Sequence, residues 1–274
     1  MGTPSMTLPL VVSAKALAAV IDRPDVCVVD LSSKENYLAG HLPGALHLEP
    51  SKLQLGSGPV PNKLPSLEQL NALVMSLNLS KDTHVVAYDD QKGPLAGRFI
   101  WTLHLLGFTQ CSFLNGHKAA WQAEGYSLEQ LENLPASSEN NPNVAIQNPE
   151  LRITKEALLG DQHPGLIWYA RSPSEYRGEK IVNAQKGGHI PSAINFEWTE
   201  CFANDTGELK APEQLAKELA DAGITGDSWV STHCQTHRRS GLTYIAGKHA
   251  GLKMRCYDGS WFEWGNNSDT PVEQ

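Results

Sequence analysis

Short apolar runs alternate with amphipathic stretches along the chain. "CVVDL" from Cys27, "HVVAY" from His84, "LIWYA" from Leu166 and "WVST" from Trp229 read as buried strands. "SLEQLNALVMSLNLS" places Leu67, Leu70, Val74 and Leu77 at helical spacing, with Ser66 and Gln69 positioned as a capping box. "APEQLAKELADAGI" has Pro212 where a first helical turn tolerates it and Gly223 where a helix stops. Strands alternating with helices predict an α/β fold, a mostly parallel sheet flanked by helices on both faces.

The pattern occurs twice. Leu70 and Leu215 stand 145 positions apart, as do Asp82 and Asp227. Gly97 and Gly241 stand 144 apart, as do Gly107 and Gly251, and this spacing sets Asp90 opposite Cys234. Gly116 and Trp121 each precede a counterpart, Gly259 and Trp264, by 143. Val29 and Trp168 differ by 139 but His41 and His189 by 148, so the second copy carries an insertion before its histidine. Between the copies, "LPASSENNPNVAIQNPE" is rich in Pro, Asn and Ser and reads as an exposed linker. Two tandem domains are expected, residues 1–135 and 150–274, joined through 136–149.

Composition narrows the function. The chain has 274 residues, 41% hydrophobic and 19% charged, enough to build a core without disulfide staples. A net charge of −8 and a pI near 5.7 argue against nucleic acid as a partner. Five cysteines with no C-x-x-C pair fit a reducing cytoplasm better than a secreted framework. "MTLPLVVSAKALAAVI" has no basic leader and is interrupted by Lys15, so neither a signal peptide nor a membrane span is expected. Gly2 is not followed by a myristoylation signal, because Met6 stands where Ser or Thr is required.

One local exception to the acidic balance is "HCQTHRRSG", from His233 to Gly241. Cys234 falls at the carboxyl end of a strand, where ligands sit in parallel sheets. A helix is expected to begin near Arg239 or Ser240 and end at Gly251, with Leu242, Ile245 and His249 on one face. The turn would aim its N–H groups inward as a nest, binding an anion and favouring the Cys234 thiolate. Arg238, Arg239 and His237 would add positive charge. Cys27 and Cys256 lie in strand-like runs and, with Cys111, read as small buried groups, while Cys201 falls in a polar loop and is incidental. His233, Cys234 and His237 lack a second ligand pair, so no metal is expected. His41 and His189 are expected to anchor the turns before their prolines. A carboxylate at Asp90 cannot serve as a sulfur nucleophile and would repel an anion. The first copy is therefore expected to be inactive, walling the cleft of the second.

Taken together, "GHLPGA" (40–45), "ARSPSEYRGE" (170–179), "GGHIPSAINFEWT" (187–199), "HCQTHRRSG" (233–241) and "GSWFEWG" (259–265) make the chain resemble the tandem-domain rhodaneses, thiosulfate sulfurtransferases, over nearly its whole length. It is especially similar to the bacterial branch whose active loop reads Cys-Gln-Thr-His-basic-Arg-Ser. The resemblance implies two rhodanese-like domains and a double displacement. Sulfur would pass from thiosulfate to Cys234 as a persulfide, then to cyanide, thioredoxin, glutathione or another thiol. No cofactor beyond that covalent persulfide is implied. Cys234 would be the nucleophile and Arg239 its main electrostatic partner. Backbone groups from Gln235, Thr236, His237, Arg238 and Ser240 would cradle the sulfur, with Arg238 and His237 nearer the mouth, and Trp198 would line the cleft. The chain departs from the family pattern at Tyr169, where many members have Asp, at Glu175, where animal members carry Arg, and at Ser192, where Gly is usual.

The active loop also invites three rival readings. The tyrosine-phosphatase signature needs five residues between Cys and Arg; here four separate Cys234 from Arg239, a cup better sized for one sulfur than for phosphate. A 3-mercaptopyruvate sulfurtransferase would carry a Gly/Ser-rich loop, whereas this loop is basic. A non-catalytic binding module suits the first half, but the second keeps its cysteine and arginines. The two halves can cover each other's apolar faces, so a monomer is expected.

Overall fold

The computed structural model describes residues 8–135, 143–160, 165–203 and 205–274. In the first half, β1 (Val11–Val12), β2 (Val26–Asp30), β3 (Leu46–His47), β4 (His84–Tyr88) and β5 (Cys111–Leu114) form a sheet in the order β1-β5-β4-β2-β3. Every pairing is parallel. Its helices are α1 (Ala14–Ala18), α2 (Lys34–Ala39), α3 (Leu67–Ser76), α4 (Pro94–Leu105) and α5 (His117–Ala123). The second half has α6 (Lys155–Leu159), β6 (Leu166–Tyr169), α7 (Pro173–Tyr176), β7 (Ile194–Asn195), α8 (Pro212–Asp221), β8 (Trp229–His233), α9 (Arg239–His249), β9 (Lys253–Cys256) and α10 (Ser260–Trp264). Its sheet, again parallel, runs β7-β6-β8-β9. A single parallel bridge from Arg152 to Cys256 stands beyond β9 where β1 stands beyond β5. The repeat read from the sequence thus extends to every element.

The central strands are buried on both faces; β4 has no exposed residue, which is why it reads as a continuous apolar run. The capping box of α3 forms in both directions: Gln69 N–H donates to Ser66 Oγ and Ser66 N–H to Gln69 Oε1. Leu70, Leu73 and Val74 enter the core, but Leu67 is exposed, because it occupies the first turn, beyond the edge of the packed face. The histidine turns are built alike. His41 Nδ1 lies 2.8 Å from Tyr37 O and His189 Nδ1 2.9 Å from Tyr176 O, and each ring stacks on that tyrosine.

Helix α9 is buried from Ser240 through Gly247 rather than on one face, because α4 covers the side its own sheet leaves free. Gly97 and Gly241 meet at this crossing. A Cβ on Gly97 would lie 2.2 Å from Gly241 O, and one on Gly241 would lie 2.5 Å from Arg98 N. Equivalent residues of the two copies touch each other, which is the signature of an approximate twofold arrangement. The interdomain segment is exposed over most of its described length, as its composition suggests, and is tied down at a few points. Residues 136–142 lie outside the described residues, but Val144 is buried and donates its N–H to Asn71 Oδ1, and Gln147 and Asn148 donate theirs to Leu105 O. Cys201 is also fully buried, within the hydrophobic core rather than a polar loop: a short 3-10 turn, Trp198–Cys201, folds it inward.

Candidate active site

β8 ends at His233, and the five residues Cys234–Arg238 turn the chain into α9. His237 sits in the left-handed region, φ 57°. Each carbonyl from Cys234 to His237 is bonded on the outside of this turn. Trp261 and Phe262 N–H, in the first turn of α10, donate to Cys234 O and Gln235 O, both at 2.9 Å. Arg98 Nη1, from α4 of the other half, donates to Thr236 O at 2.9 Å and His237 O at 3.2 Å. All peptides of this turn are trans. The N–H of the next residue therefore points opposite each tethered carbonyl, which turns the amides of this loop toward its interior.

Cys234 is 1% exposed, so its sulfur lies at the base of the turn. Burial pushes the thiol up, but Arg239's charge, the Ser240 hydroxyl and the Ser240 and Thr236 N–H groups outweigh it and hold Cys234 below the ordinary thiol range. Ser240 Oγ donates to Sγ at 3.5 Å. The other cysteines go the opposite way: burial pushes Cys27 and Cys111 up to about 12 and raises Cys201 and Cys256 as well.

Arg239 is held by a carboxylate. Its Nη1 and Nη2 donate to Glu175 Oε2 and Oε1 at 2.8 and 3.2 Å, a bidentate fork. Arg171 Nε donates to Glu175 Oε1 at 2.8 Å, and Ser172 N–H to Oε2 at 3.1 Å. Burial would raise the Glu175 carboxyl, but the two guanidinium groups win and hold it at about 2. Glu175 was missed as a site residue. Its signal in the sequence is Ser172 followed three positions later by Glu175, a capping box that the structure forms at α7. Tyr169 replaces the aspartate common in the family, yet still braces this region: Arg171 Nη1 donates to its hydroxyl at 2.7 Å, and the hydroxyl donates to Gly188 O at 3.2 Å.

The remaining expected residues divide. Gln235 Nε2 donates to Val182 O at 2.6 Å, tying the loop to the inserted segment of the second copy. Arg238 is exposed, as a residue at the mouth should be. Trp198 is half-buried in the turn packed on α9, edge-on to Phe202. His237 does not sit at the mouth. It is fully buried, edge-on to Trp101 of α4, with Nδ1 2.8 Å from Ser240 Oγ. Burial, with Arg98 and Arg152 nearby, pushes its pKa well down, so it adds no positive charge. Its neutral ring can instead donate to Ser240 Oγ, leaving the hydroxyl proton for the sulfur.

The first half supplies a filled version of the same cup. Strand register pairs Asp30 with Tyr88 and Tyr169 with His233, and the left-handed residues Lys92 and His237 keep that offset. Asp89, not Asp90, is therefore the counterpart of Cys234. The expected alignment slipped because α4 has 12 residues and α9 has 11, which displaces the glycines by one. Asp89 Oδ1 accepts from Gln91 and Gly93 N–H at 2.8 and 2.7 Å, and Oδ2 from Leu95 and Ala96 N–H at 2.8 and 3.0 Å. This turn thus closes four amides around one buried anion. Asp90 points elsewhere, accepting from Asn36 Nδ2.

The rhodanese-like domain family matches residues 13–124 and 155–267. The thiosulfate sulfurtransferase of Azotobacter vinelandii is 43% identical over 97% of this chain and 98% of its own length. That of Pseudomonas aeruginosa is 42% identical over 97% of both. Among solved structures, the 3-mercaptopyruvate sulfotransferase SseA from Escherichia coli superposes with a TM-score of 0.80 at 28% identity, covering 92% of this chain and 98% of that one.

Proposed function

Because this chain belongs to the rhodanese family and is a sulfurtransferase, we propose that it moves the outer sulfur of thiosulfate, through a persulfide on Cys234, to cyanide or another thiophile. The Cys234 thiolate attacks the sulfane sulfur; the S–S bond of thiosulfate breaks and sulfite leaves with the electron pair. An acceptor, such as cyanide, thioredoxin or a small thiol, then attacks the outer sulfur of the persulfide. With cyanide, thiocyanate departs and the Cys234 thiolate is restored. No external oxidant or cofactor is needed.

One observation carries this reading. Cys234 alone of the five cysteines is held below the ordinary thiol range, inside a turn whose counterpart surrounds the Asp89 carboxylate with four N–H donors. A terminal persulfide sulfur is an anion of that kind, stabilised by donors fixed before the reaction begins. Arg239 beside the sulfur and Arg238 at the mouth suit the dianion thiosulfate. Gln235, Thr236, His237, Arg238 and Ser240 contribute through their backbone, and Ser240 through its hydroxyl as well. Trp198 walls the cleft. The free state of all five cysteines supports work in the reducing cytoplasm. No described helix is long and apolar enough to cross a membrane. The mutual cover of α4 and α9 supports a monomer.

The deciding assay is thiocyanate formation from thiosulfate and cyanide by the wild type and Cys234→Ser, with 3-mercaptopyruvate as a competing donor. Turnover that needs Cys234 and prefers thiosulfate is expected. Full activity in the serine variant rejects the mechanism, and preference for 3-mercaptopyruvate reassigns the donor.

A further inference from the structure

We propose that Arg98, a residue of the half that lacks the cysteine, is a positioning residue for the active loop: it holds the loop's amides toward the Cys234 sulfur by gripping their carbonyls from behind. The inference builds on the sulfur-transfer reading of Cys234.

Arg98 is fully buried, and its guanidinium spends every N–H on a backbone carbonyl. Nε donates to Leu53 O, and Nη2 to Asn62 O and Lys63 O, which fix the group within its own half. The two hydrogens of Nη1 cross to Thr236 O and His237 O. The peptide whose carbonyl is His237 O carries the N–H of Arg238. In the first half the counterpart N–H, that of Gly93, donates to the buried Asp89 carboxylate at 2.7 Å. Arg98 thus fixes the orientation of the amide that the filled cup shows to be an anion donor. Its own charge also lies at the oxygen end of those peptide dipoles, aligned to favour negative charge at the other end.

The two copies differ where the chemistry does. The residue after each crossing glycine points at the other half's loop: Arg98 after Gly97, Leu242 after Gly241. Leu242 Cδ1 packs against Gly93, lying 2.8 Å from where a Cβ would stand. The loop already filled by Asp89 receives an apolar contact; the loop that must hold a thiolate or persulfide receives a guanidinium. Other charged groups around Cys234 have other roles. Arg239 acts on the sulfur directly, with Glu175 and Arg171 behind it, and Asp258 is paired with Arg152. His233 and His237 are held neutral by burial.

The test reads the sulfur itself, independently of any donor. In folded Arg98→Met, the pH midpoint of iodoacetamide alkylation at Cys234 should rise by roughly one unit, a tenfold loss in thiolate-to-thiol ratio. Arg98→Lys, which keeps the charge but cannot span both carbonyls, should fall between Arg98→Met and the wild type. If Arg98→Met does not fold, Arg98→Gln and Arg98→Lys provide the same comparison. An unmoved midpoint in a folded variant, even with thiosulfate turnover reduced, would overturn the proposal and leave Arg98 a packing residue. A raised midpoint alongside a wild type inactive on thiosulfate would support Arg98 while rejecting the donor assignment.

Discussion

Glu175 grips Arg239 through both of its carboxylate oxygens, at 2.8 and 3.2 Å, on the side of the guanidinium away from solvent. The cation that stabilises Cys234 is therefore aimed by an anion from α7. Glu175→Gln should lower sulfur-transfer kcat and cost on the order of 3 kcal/mol at pH 7, since it leaves two arginines short of a partner. The carboxyl is held at about 2 when folded, against about 4.3 unfolded. A depressed acid stabilises above its unfolded pKa, and that stabilisation is lost as pH falls through the folded one. The difference between wild type and variant, followed by denaturant unfolding, should be complete at neutral pH and shrink between about pH 4 and pH 2.

The two arginines of the loop should not be equivalent. Arg239 touches the charge on Cys234, whereas Arg238 is exposed and screened by water. Arg239→Ala should reduce thiosulfate turnover by about 100-fold and Arg238→Ala by less than about tenfold. Steady-state kinetics at two salt concentrations will separate them, the Arg238 effect being the salt-sensitive one.

Cys234 should titrate alone. Alkylation of the native protein should modify this one thiol at a pH below the ordinary value of about 8.5, and the rate should fall only as pH drops through the lowered pKa. Peptide mapping should find Cys27, Cys111, Cys201 and Cys256 unmodified under those conditions, because burial favours their neutral forms.

Asp89→Asn replaces an acceptor-only group with an amide whose NH2 must face N–H donors. It should destabilise the protein by about 3 kcal/mol, seen as a lower Tm. Turnover by the folded fraction should stay close to wild type, because Asp89 serves its own loop.

At the helix crossing, Gly97→Ala would bring a methyl group to 2.2 Å from Gly241 O. Backbone cannot yield as a side chain would, so α4 and α9 must separate. A loss of about 1–3 kcal/mol is expected from thermal unfolding, with weaker thiosulfate turnover, since Arg98 follows Gly97 directly.

The repeat and the turn that holds Cys234 were legible because both rest on local pattern. Apolar runs mark the strands, glycines mark the turns, and a basic polar turn after a strand marks Cys234. What escaped depends on contacts far apart in sequence. Arg98 is 138 positions from Thr236 and Glu175 is 64 from Arg239, and no spacing rule links such pairs. Charge alone misplaced His237: three adjacent basic letters suggested a cationic mouth, but the left-handed backbone at His237 turns its ring inward against Trp101. Glycine spacing points to Asp90 rather than Asp89 because the helices that carry those glycines differ in length by one residue. Polar neighbours disguised Cys201, which a single 3-10 turn carries into the core.

The glycine-to-glycine contact makes the two halves inseparable in practice. Residues 150–274 produced by themselves would offer water the flank of α9 that α4 now seals, and their loop would lose its grip from outside. A duplicated module has become the mould in which its twin is cast.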